Sequence, residues 1–592
     1  MFRRLGLLLA VGGLFSVTGC DYSNRNAPLP PPSIRSGPLP TSPIARTGGA
    51  SATPTTSSVS QSPESSEDKT RREEILKNVV TLVQTAATNP GGANFDIAIK
   101  NLNHYFERGT TPADFRMTPA ARAFLARQLP KDFIDDLEKP TFTIRDARHF
   151  EDCMLYNAIA TRVAGEGADL ERVKRLFEWT IRQVTLVPPG QLAPSGLDQA
   201  QARPYDCLLR GMGTELGGYW TERGWVFMSL CRQIGIDVGI VAFSKPRASL
   251  LMTKKSEESE APVFWIQAAL VDKKLYLFDA RLGIAIPTAD GKSIATLDDV
   301  LADASILDRL DLPGQAAYDV KTRDLRLSPT KIGILIDAAS GYLTPRSRLL
   351  QARLTGQDRT ILFRDPAEQG AKFVEALGPN AGQISCWTLP LEIEQRLFRD
   401  PQFVAATEAS LVLFRGTLPL LGARLAELRG ELPEAISEFV RFRFAKNGVM
   451  KDGRTPIVPE VQQALDIYAT YFLGQSQLDQ GNVDSAKLMF KQTLNMLPEP
   501  GPGQPFYYMF RWGALTNLGR IAEQQGDYTA AIAYLSKAQP TPQTHGSLLQ
   551  ARALIWKDPL RPAAPPLPAP PASYPPQGVF ALPGASASAA KP

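Results

Sequence analysis

Nucleophilic chemistry in this chain would depend on a cysteine held beside a histidine, since a thiolate attacks and an imidazole accepts the proton. Histidines are scarce, with three in 592 residues, and this limits where such a pair can form. A cysteine becomes reactive where a helix N-terminus or a cation lowers its pKa. The candidate residues are Cys20, Cys153, Cys207, Cys231 and Cys386, with His104, His149 and His545.

The first of these cysteines closes an export signal. Arg3 and Arg4 form a cationic start, and the apolar run at 5–17 has 13 residues, fewer than the about 20 that a membrane-spanning helix needs. The segment Val17-Thr-Gly-Cys20 resembles the lipobox of bacterial lipoproteins. This resemblance implies cleavage before Cys20, lipid on its sulfur, and attachment to an envelope membrane, facing the periplasm or the exterior. The alternative is an ordinary secretory signal with a chance cysteine.

Composition argues against several classes of function. A net charge of +5 is slight for this length, and no basic stripe with interleaved aromatic residues indicates nucleic-acid binding. Four cysteines after Cys20 do not make a disulfide scaffold, although a single disulfide stays open. No metal site or cofactor is predicted, and the length favours about three or four domains.

Two terminal segments are too poor in apolar residues to fold. Residues 20–70 are dominated by Pro, Ser, Thr, Ala and Gly, and 558–592 by Pro and Ala. Such segments cannot bury enough apolar surface to offset chain entropy, so both are predicted to be disordered. The first would be a tether with a mean span of about 40 Å.

Apolar periodicity predicts the elements between these segments. Residues 71–149 have a helical pattern, helices are predicted at 170–184 and 225–234, and the chain is helical again from about 400. A polar turn at 272–274 joins two of the strands. The strand candidates are 236–243, 262–271, 275–279, 332–336 and 360–363.

Within 150–290, the order of these elements resembles the transglutaminase-like fold. Arg232-Gln-Ile-Gly-Ile236 is similar to the family's L-L-R-x-x-G-I segment, and Phe264-Trp-Ile266 to the A-W-V that follows its histidine. Leu277-Phe-Asp279 is similar to its strand-ending aspartate. The resemblance implies a Cys-His-Asp triad, with the thiol at a helix N-terminus and the aspartate orienting the histidine.

Two of the three triad positions hold residues that cannot do this chemistry. The family's cysteine position, 15 residues before Gly235, is Trp220, and its histidine position is Val263. Only Asp279 matches. A tryptophan cannot attack a carbonyl and a valine cannot move a proton, so the scaffold is predicted to have lost its catalytic machinery. Trp220 would fill the vacated cleft or present a flat face to a sugar or peptide.

Other residues leave alternatives open. A relocated dyad of Cys207, expected in a loop, and His149 would restore a nucleophile, whereas Cys231 is expected in the core of its helix. Asp279 is either a relic of the triad that now binds a ligand or a strand-end carboxylate that caps the turn before Arg281. The second interpretation is favoured.

The C-terminal third contains a repeated pattern. Two segments, 463–498 and 512–540, are similar to the tetratricopeptide repeat, and a degenerate third copy surrounds Leu421-Gly422. Small residues are needed where the two helices of a repeat cross closely. Such repeats stack into a curved surface that binds peptides or proteins. The matching positions are Leu473, Gly474, Gly481, Ala486, Phe490 and Pro498, then Leu518, Gly519, Gly526, Tyr528, Ala531 and Ala538.

The sequence therefore predicts a multidomain α+β protein with a helical N-terminal region, a transglutaminase-like core and a C-terminal α-solenoid. The predicted segments are a signal peptide at 1–19, a tether at 20–70, a helical region at 71–149, a transglutaminase-like domain at 150–290, a small α/β extension at 291–400, tetratricopeptide-like repeats at 401–557 and a tail at 558–592.

The predicted function is that of a non-catalytic scaffold, attached to a membrane through Cys20 and binding a protein or polymer through its repeats. The competing interpretation is a divergent cysteine hydrolase or acyl-transferase of the transglutaminase-like superfamily that acts on envelope peptides. A third is a lipoprotein that only spaces the membrane from the wall.

Overall fold

The structure of this chain is a computed structural model. It describes residues 66–86, 93–107, 110–187, 202–214, 222–245, 261–311, 318–328, 330–414, 420–444, 459–497, 505–535 and 537. Cys20, Trp220 and His545 lie outside these residues, as do the predicted signal peptide and tail and most of the tether. The chain divides into two compact units, 1–108 and 109–592, and the division falls inside the helical region predicted for 71–149.

Two helices form the described part of the first unit. They are α1 (Ser66–Ala86) and α2 (Ala93–Glu107), and they pack along one another. Val83, Ala98 and Leu102 are completely buried. Apolar residues at helical spacing therefore form the contact between α1 and α2, as the periodicity predicts.

The second unit contains a six-stranded sheet in the order β6-β5-β4-β3-β7-β8 and a small parallel pair, β1-β2. In the large sheet β7 and β8 are parallel, whereas the other neighbouring strands are antiparallel. The strands are β1 Thr185–Val187, β2 Met212–Thr214, β3 Val238–Lys245, β4 Ala261–Val271, β5 Lys274–Asp279, β6 Ile284–Ala285, β7 Ile332–Asp337 and β8 Ala381–Trp387.

Helices surround this sheet, so the described residues have a mixed helical and β architecture, as the sequence predicts. The helices of the second unit are α3 Pro119–Leu125, α4 Lys131–Leu137, α5 Ile144–Ala164, α6 Asp169–Gln183, α7 Pro204–Arg210, α8 Glu222–Gln233, α9 Leu297–Ala302, α10 Ser305–Asp308, α11 Thr322–Arg326, α12 Ser340–Leu343, α13 Pro345–Gln351, α14 Pro366–Leu377, α15 Leu389–Arg399, α16 Pro401–Ser410, α17 Leu420–Arg429, α18 Leu432–Phe444, α19 Pro459–Asp479, α20 Val483–Met496, α21 Pro505–Gln524 and α22 Tyr528–Leu535.

Local turn chemistry sets the central hairpin and the end of α8. Asp272 and Lys273 both have positive φ, at 49° and 62°, and join β4 to β5 in a tight turn of the left-handed kind that matches strand twist. Helix α8 ends at Gln233 and is followed by Gly235, whose φ is +84°. The N–H of Ile236 then donates to the carbonyl of Cys231 at 3.1 Å, which closes the helix in a Schellman motif.

The sheet is buried on both faces. Leu277 belongs to a cluster that joins the strands to Phe373 of α14 and to α3 and α4. Phe278, the next residue, lies on the opposite face because successive side chains of a strand alternate. There its ring lies 5.0 Å from that of Phe177 and 5.2 Å from that of Phe227. These rings pack α6 and α8 against β5.

One predicted strand is wrong, and four of the observed strands, β1, β2, β6 and β8, were not predicted. Residues 360–363 form no strand because side chains, instead of a neighbouring strand, accept their N–H groups. The Gln233 side chain accepts from Ile361 at 3.0 Å, and that of Gln351 accepts from Leu362 at 2.7 Å. The parallel partner of β7 is instead β8, which the sequence did not predict.

Candidate functional site

The start of α8 is the place to which the transglutaminase-like resemblance assigns a nucleophile. Trp220 itself lies outside the described residues, which resume at Glu222. The carboxylate of Glu222 is completely buried and pairs with the equally buried Arg210 at 3.1 Å. It also accepts a hydrogen bond from the N–H of Ala202. A buried ion pair therefore occupies the beginning of this helix.

Side chains fill the space between α8 and the strand ends. The guanidinium of Arg223 donates to the carbonyl of Ala280 at 2.7 Å and to that of Arg281 at 3.1 Å. A Cβ added at Gly224 would lie 2.4 Å from Nε2 of Gln267, so this amide packs directly on the helix backbone. The contact requires a glycine in α8 and holds the helix tightly against β4.

The two triad-equivalent positions that the structure describes lie on adjacent strands. Val263, on β4, pairs with Phe243 of β3 and is partly buried. Asp279 ends β5 and is completely buried. One carboxylate oxygen accepts from the N–H groups of Arg281 and Leu282, both at 2.9 Å. This is the turn cap that the structural interpretation of Asp279 predicts.

The second oxygen of Asp279 is bound by a residue that the sequence did not single out. The hydroxyl of Tyr318 donates to it at 2.9 Å and accepts a hydrogen bond from the indole N–H of Trp265 at 3.0 Å. Burial and the charge of Asp279 raise the pKa of Tyr318 far above its usual range, so the phenol stays a donor. Tyr318 thus donates a hydrogen bond to the carboxylate that resembles the triad aspartate, which in that family would orient a histidine.

All four described cysteines are buried free thiols, so the disulfide that the sequence left open does not form among them. Burial raises the pKa of each thiol. Cys207 lies in α7 and not in the expected loop, because Pro204 begins a helix there. Its sulfur is 3.6 Å from the carboxylate of Glu222, whose charge also disfavours a thiolate. Cys231 lies in the core of α8, as predicted.

His149 does not meet Cys207 in this structure. Its ring packs against Cys153 on the next turn of α5, with the sulfur 3.8 Å from Nδ1 and 3.7 Å from Nε2. The sulfur is therefore nearly equidistant from the two ring nitrogens. Nε2 donates to the carbonyl of Leu362 at 2.9 Å, and burial lowers the imidazole pKa to about 4.

The neighbouring Cys153 and His149 were missed, although their spacing of four along a helical pattern was a usable signal. Of the other histidines, His104 is exposed on α2 and lies 3.4 Å from Glu107, and His545 is outside the described residues. Among the described residues, no group of His, Cys, Asp and Glu has the arrangement needed to hold a metal ion.

The C-terminal helices pack as consecutive hairpins: α17 with α18, α19 with α20, and α21 with α22. A Cβ at Gly474 would lie 2.9 Å from the ring of Phe490, and one at Gly519 would lie 2.8 Å from Leu535. The close helix crossings predicted at these two glycines are therefore present. Gly481 and Gly526, with φ of 85° and 75°, end the first helices of the last two hairpins.

The first helix of each hairpin contacts the part of the chain predicted as the transglutaminase-like domain. In α17, Arg424 donates to the carbonyl of Leu208 at 2.7 Å. In α21, Arg520 donates to that of Gly283 at 3.0 Å. In α19, Asp479 is nearly buried and accepts from the indole N–H of Trp179 at 2.9 Å. The hairpins and the sheet-containing region are thus joined by buried polar contacts.

Asp479 makes two further contacts across this junction. It pairs with Arg162 of α5 at 3.3 Å and with Arg182 of α6 at 3.4 Å. One carboxylate therefore binds three side chains from two helices of the other region. Such a network is strong only while every member keeps its partner.

The chain matches no protein-family model, no curated protein and no solved structure. The transglutaminase-like and tetratricopeptide-like resemblances therefore rest on the residues quoted above. No helix within the described ranges is long and apolar enough to cross a membrane.

Proposed function

We propose that this chain is a membrane-anchored, non-catalytic binding protein of the bacterial cell envelope. In this proposal Cys20 carries lipid, 20–70 form a tether, 150–290 form a degenerate transglutaminase-like domain, and 401–557 present tetratricopeptide-like repeats. The observation that carries it is the carboxylate of Asp279, whose two oxygens are bound by backbone N–H groups and by the hydroxyl of Tyr318.

The loss of triad chemistry follows from this pairing. A triad aspartate acts by holding a histidine in the correct tautomer and orientation. Here the histidine position is Val263, and a neutral phenol occupies the carboxylate. The described thiols are buried, and burial raises their pKa values, whereas a nucleophilic cysteine needs a lowered one. These facts favour binding over covalent catalysis.

The outer helices of the hairpins are the proposed place for a protein partner. The first helices, α17, α19 and α21, already contact the region at 150–290. The second helices expose apolar side chains, among them Val440 on α18 and Leu488 on α20, which are 36 % and 53 % exposed. In this proposal the two side chains contribute to one apolar interaction surface, since contiguous exposed apolar surface marks protein–protein contacts.

A cross-linking pull-down from native membranes tests this role. The full-length protein is expected to capture one or a few specific partners, and Leu488→Glu is expected to lose them. Leu327→Glu is the matched control, because Leu327 is 72 % exposed and lies outside the hairpins. If Leu488→Glu still captures the partners, α20 is not part of the interface. If the full-length protein captures no specific partner, the spacer interpretation is favoured.

The competing enzyme interpretation has its own test. Full-length protein is incubated with a glutamine peptide and a fluorescent amine, and peptide hydrolysis and amine transfer are measured; a separate sample is labelled with a thiol-reactive probe. The proposal predicts no turnover above background. Turnover that Cys207→Ser abolishes would overturn it and establish a divergent cysteine hydrolase or acyl-transferase.

A further inference from the structure

A cavity lies beyond the carboxyl ends of β7 and β8, the parallel pair of the large sheet. Its volume is about 70 Å³. Its wall includes 339–342, which follow β7, and Glu394 of α15, which follows β8. Open α/β sheets bind ligands at the carboxyl ends of parallel strands. The space suits on the order of five waters or one compact ligand.

Most polar groups of the wall have partners within the protein. The indole N–H of Trp225 donates to Asp337 at 3.2 Å, and His149 donates to the backbone at 2.9 Å. Arg203 pairs with Asp152 at 3.0 Å. A Cβ at Gly341 would lie 2.1 Å from the His149 ring, so the backbone here packs directly against the imidazole. These contacts make a wall whose shape is set before any ligand binds.

Glu394 is the exception in this wall. Its carboxylate accepts a hydrogen bond from the N–H of Ser340 at 3.2 Å, and among the described residues no cation forms an ion pair with it. Burial raises its pKa to about 7, which is the expected result for a carboxylate that lacks a positive partner. A cationic group in the cavity would supply that partner.

The charge of one arginine in this wall acts on this carboxylate. Arg145 lines the same cavity, and its guanidinium stacks on the ring of Phe398 at 4.5 Å. Its nearest ion-pair partner, Asp136, is 4.0 Å away, and both side chains are more than a third exposed, so this pair is weak. The charge of Arg145 lowers the pKa of Glu394, yet the two side chains form no ion pair. A gap therefore separates the carboxylate of Glu394 from the guanidinium of Arg145.

We propose that this cavity binds a compact zwitterion, an α-amino acid or a molecule of the same charge pattern, with its ammonium at Glu394 and its carboxylate at Arg145. Both ends of such a ligand would make charge-assisted hydrogen bonds, which are stronger than neutral ones. Tyr156 and Trp225 also line the cavity. The site is separate from the start of α8 and does not depend on the proposed scaffold role.

Calorimetric titration of the full-length protein tests this site with glycine, L-alanine and D-alanine as probes. Acetate and methylammonium are the comparison ligands, because each carries one of the two charges. We expect an amino acid to bind at least about tenfold more tightly than either, since it makes both contacts. Equal binding of acetate would overturn the proposal in favour of an anion site, and equal binding of methylammonium in favour of a cation site. No binding of any amino acid at about 10 mM would refute it outright.

Three variants locate the contacts. Glu394→Gln and Arg145→Ala are each expected to weaken amino-acid binding by about tenfold or more. Glu392→Gln is the matched control, because Glu392 is exposed on the same helix and bonds only to Thr388 among the described residues. Glu394→Gln keeps the side-chain volume and Arg145 lies at the rim, and thermal melting verifies that both variants fold. Unchanged binding in both variants would place the amino acid elsewhere and overturn the assignment.

Discussion

The hydroxyl of Tyr318 lies 2.9 Å from a carboxylate oxygen of Asp279, and these two residues are 39 positions apart in the chain. The same hydroxyl accepts from the indole of Trp265 at 3.0 Å. Three buried polar groups thereby satisfy one another. The position that resembles a triad aspartate is therefore part of the internal hydrogen bonding of the fold.

Tyr318→Phe is expected to lower the free energy of unfolding by about 1–3 kcal/mol. The substitution leaves a carboxylate oxygen and an indole N–H buried without a partner, and such groups retain their full desolvation penalty. Urea unfolding followed by tryptophan fluorescence measures the change. Tyr276→Phe, on the same strand as Asp279 but only partly buried, is the control and should stay within about 0.5 kcal/mol of the parent. Equal effects of the two variants would show that the hydrogen bond between Tyr318 and Asp279 does not stabilise the fold.

Gly224→Ala is expected to destabilise the protein by about 1–3 kcal/mol, because the added methyl group overlaps the amide of Gln267. Gly422→Ala is the opposite case. No atom lies within 4 Å of a Cβ at Gly422, in α17, and alanine favours a helix over glycine by about 0.5–1 kcal/mol. In thermal melting, Gly224→Ala should therefore lower the melting temperature and Gly422→Ala should raise it. A harmless Gly224→Ala would mean that α8 is not held against β4 as described.

The free energy of unfolding is expected to depend on pH through Glu394. Burial raises its pKa to about 7 in the folded chain, with Asp337 raising it further and Arg145 lowering it. Below about pH 4.5 the carboxyl is protonated in both states. Between about pH 4.5 and 7 the unfolded chain releases its proton first, so stability falls as pH rises and then stays at the lower level.

Glu394→Gln removes this contribution. Compared with the parent, the variant should gain on the order of 1–3 kcal/mol between pH 5 and pH 8. Denaturant unfolding at the two pH values measures the difference, and Glu392→Gln should show no such trend. A parent that gains stability relative to Glu394→Gln with rising pH would contradict the raised pKa.

Native protein should expose none of its four described thiols to a disulfide reagent, because all four are buried. Unfolding in guanidinium should release them together. Cys20 adds no thiol if it carries lipid through a thioether and one fast-reacting thiol if it does not, so the same titration tests the lipid proposal. A mass measurement of the N-terminal peptide provides the independent control. Fast reaction of Cys207 in the native state would contradict its burial.

Asp479→Asn is expected to loosen the junction between α19 and the region at 150–290. Loss of the charge removes ion pairs to Arg162 and Arg182 and should cost about 1–3 kcal/mol. Limited proteolysis should then cut between the two regions faster than in the parent. Asp484→Asn, at an exposed position of α20, is the control. Equal protease resistance of the two variants would show that Asp479 does not hold this junction.

Local features of this chain were predictable from sequence alone. Helix α6, the β4–β5 hairpin with its polar turn, the turn cap by Asp279 and the close crossings at Gly474 and Gly519 depend on residues near one another in the chain. Periodicity and turn chemistry specify such features directly. Prediction from local sequence fails at 360–363. The β-branched and aromatic residues there favour a strand, but glutamine side chains from other elements accept hydrogen bonds from their backbone N–H groups.

The sequence by itself also determined which chemistry the positions that resemble a catalytic triad could hold, since Val263 cannot move a proton. Only the tertiary structure decided that Tyr318 takes the carboxylate of Asp279, that Asp479 joins the hairpins to α5 and α6, and that Arg145 and Glu394 face one cavity. These pairs are far apart in the chain. Local propensity carries no information on which distant elements meet, because burial of apolar faces around a shared sheet makes that choice.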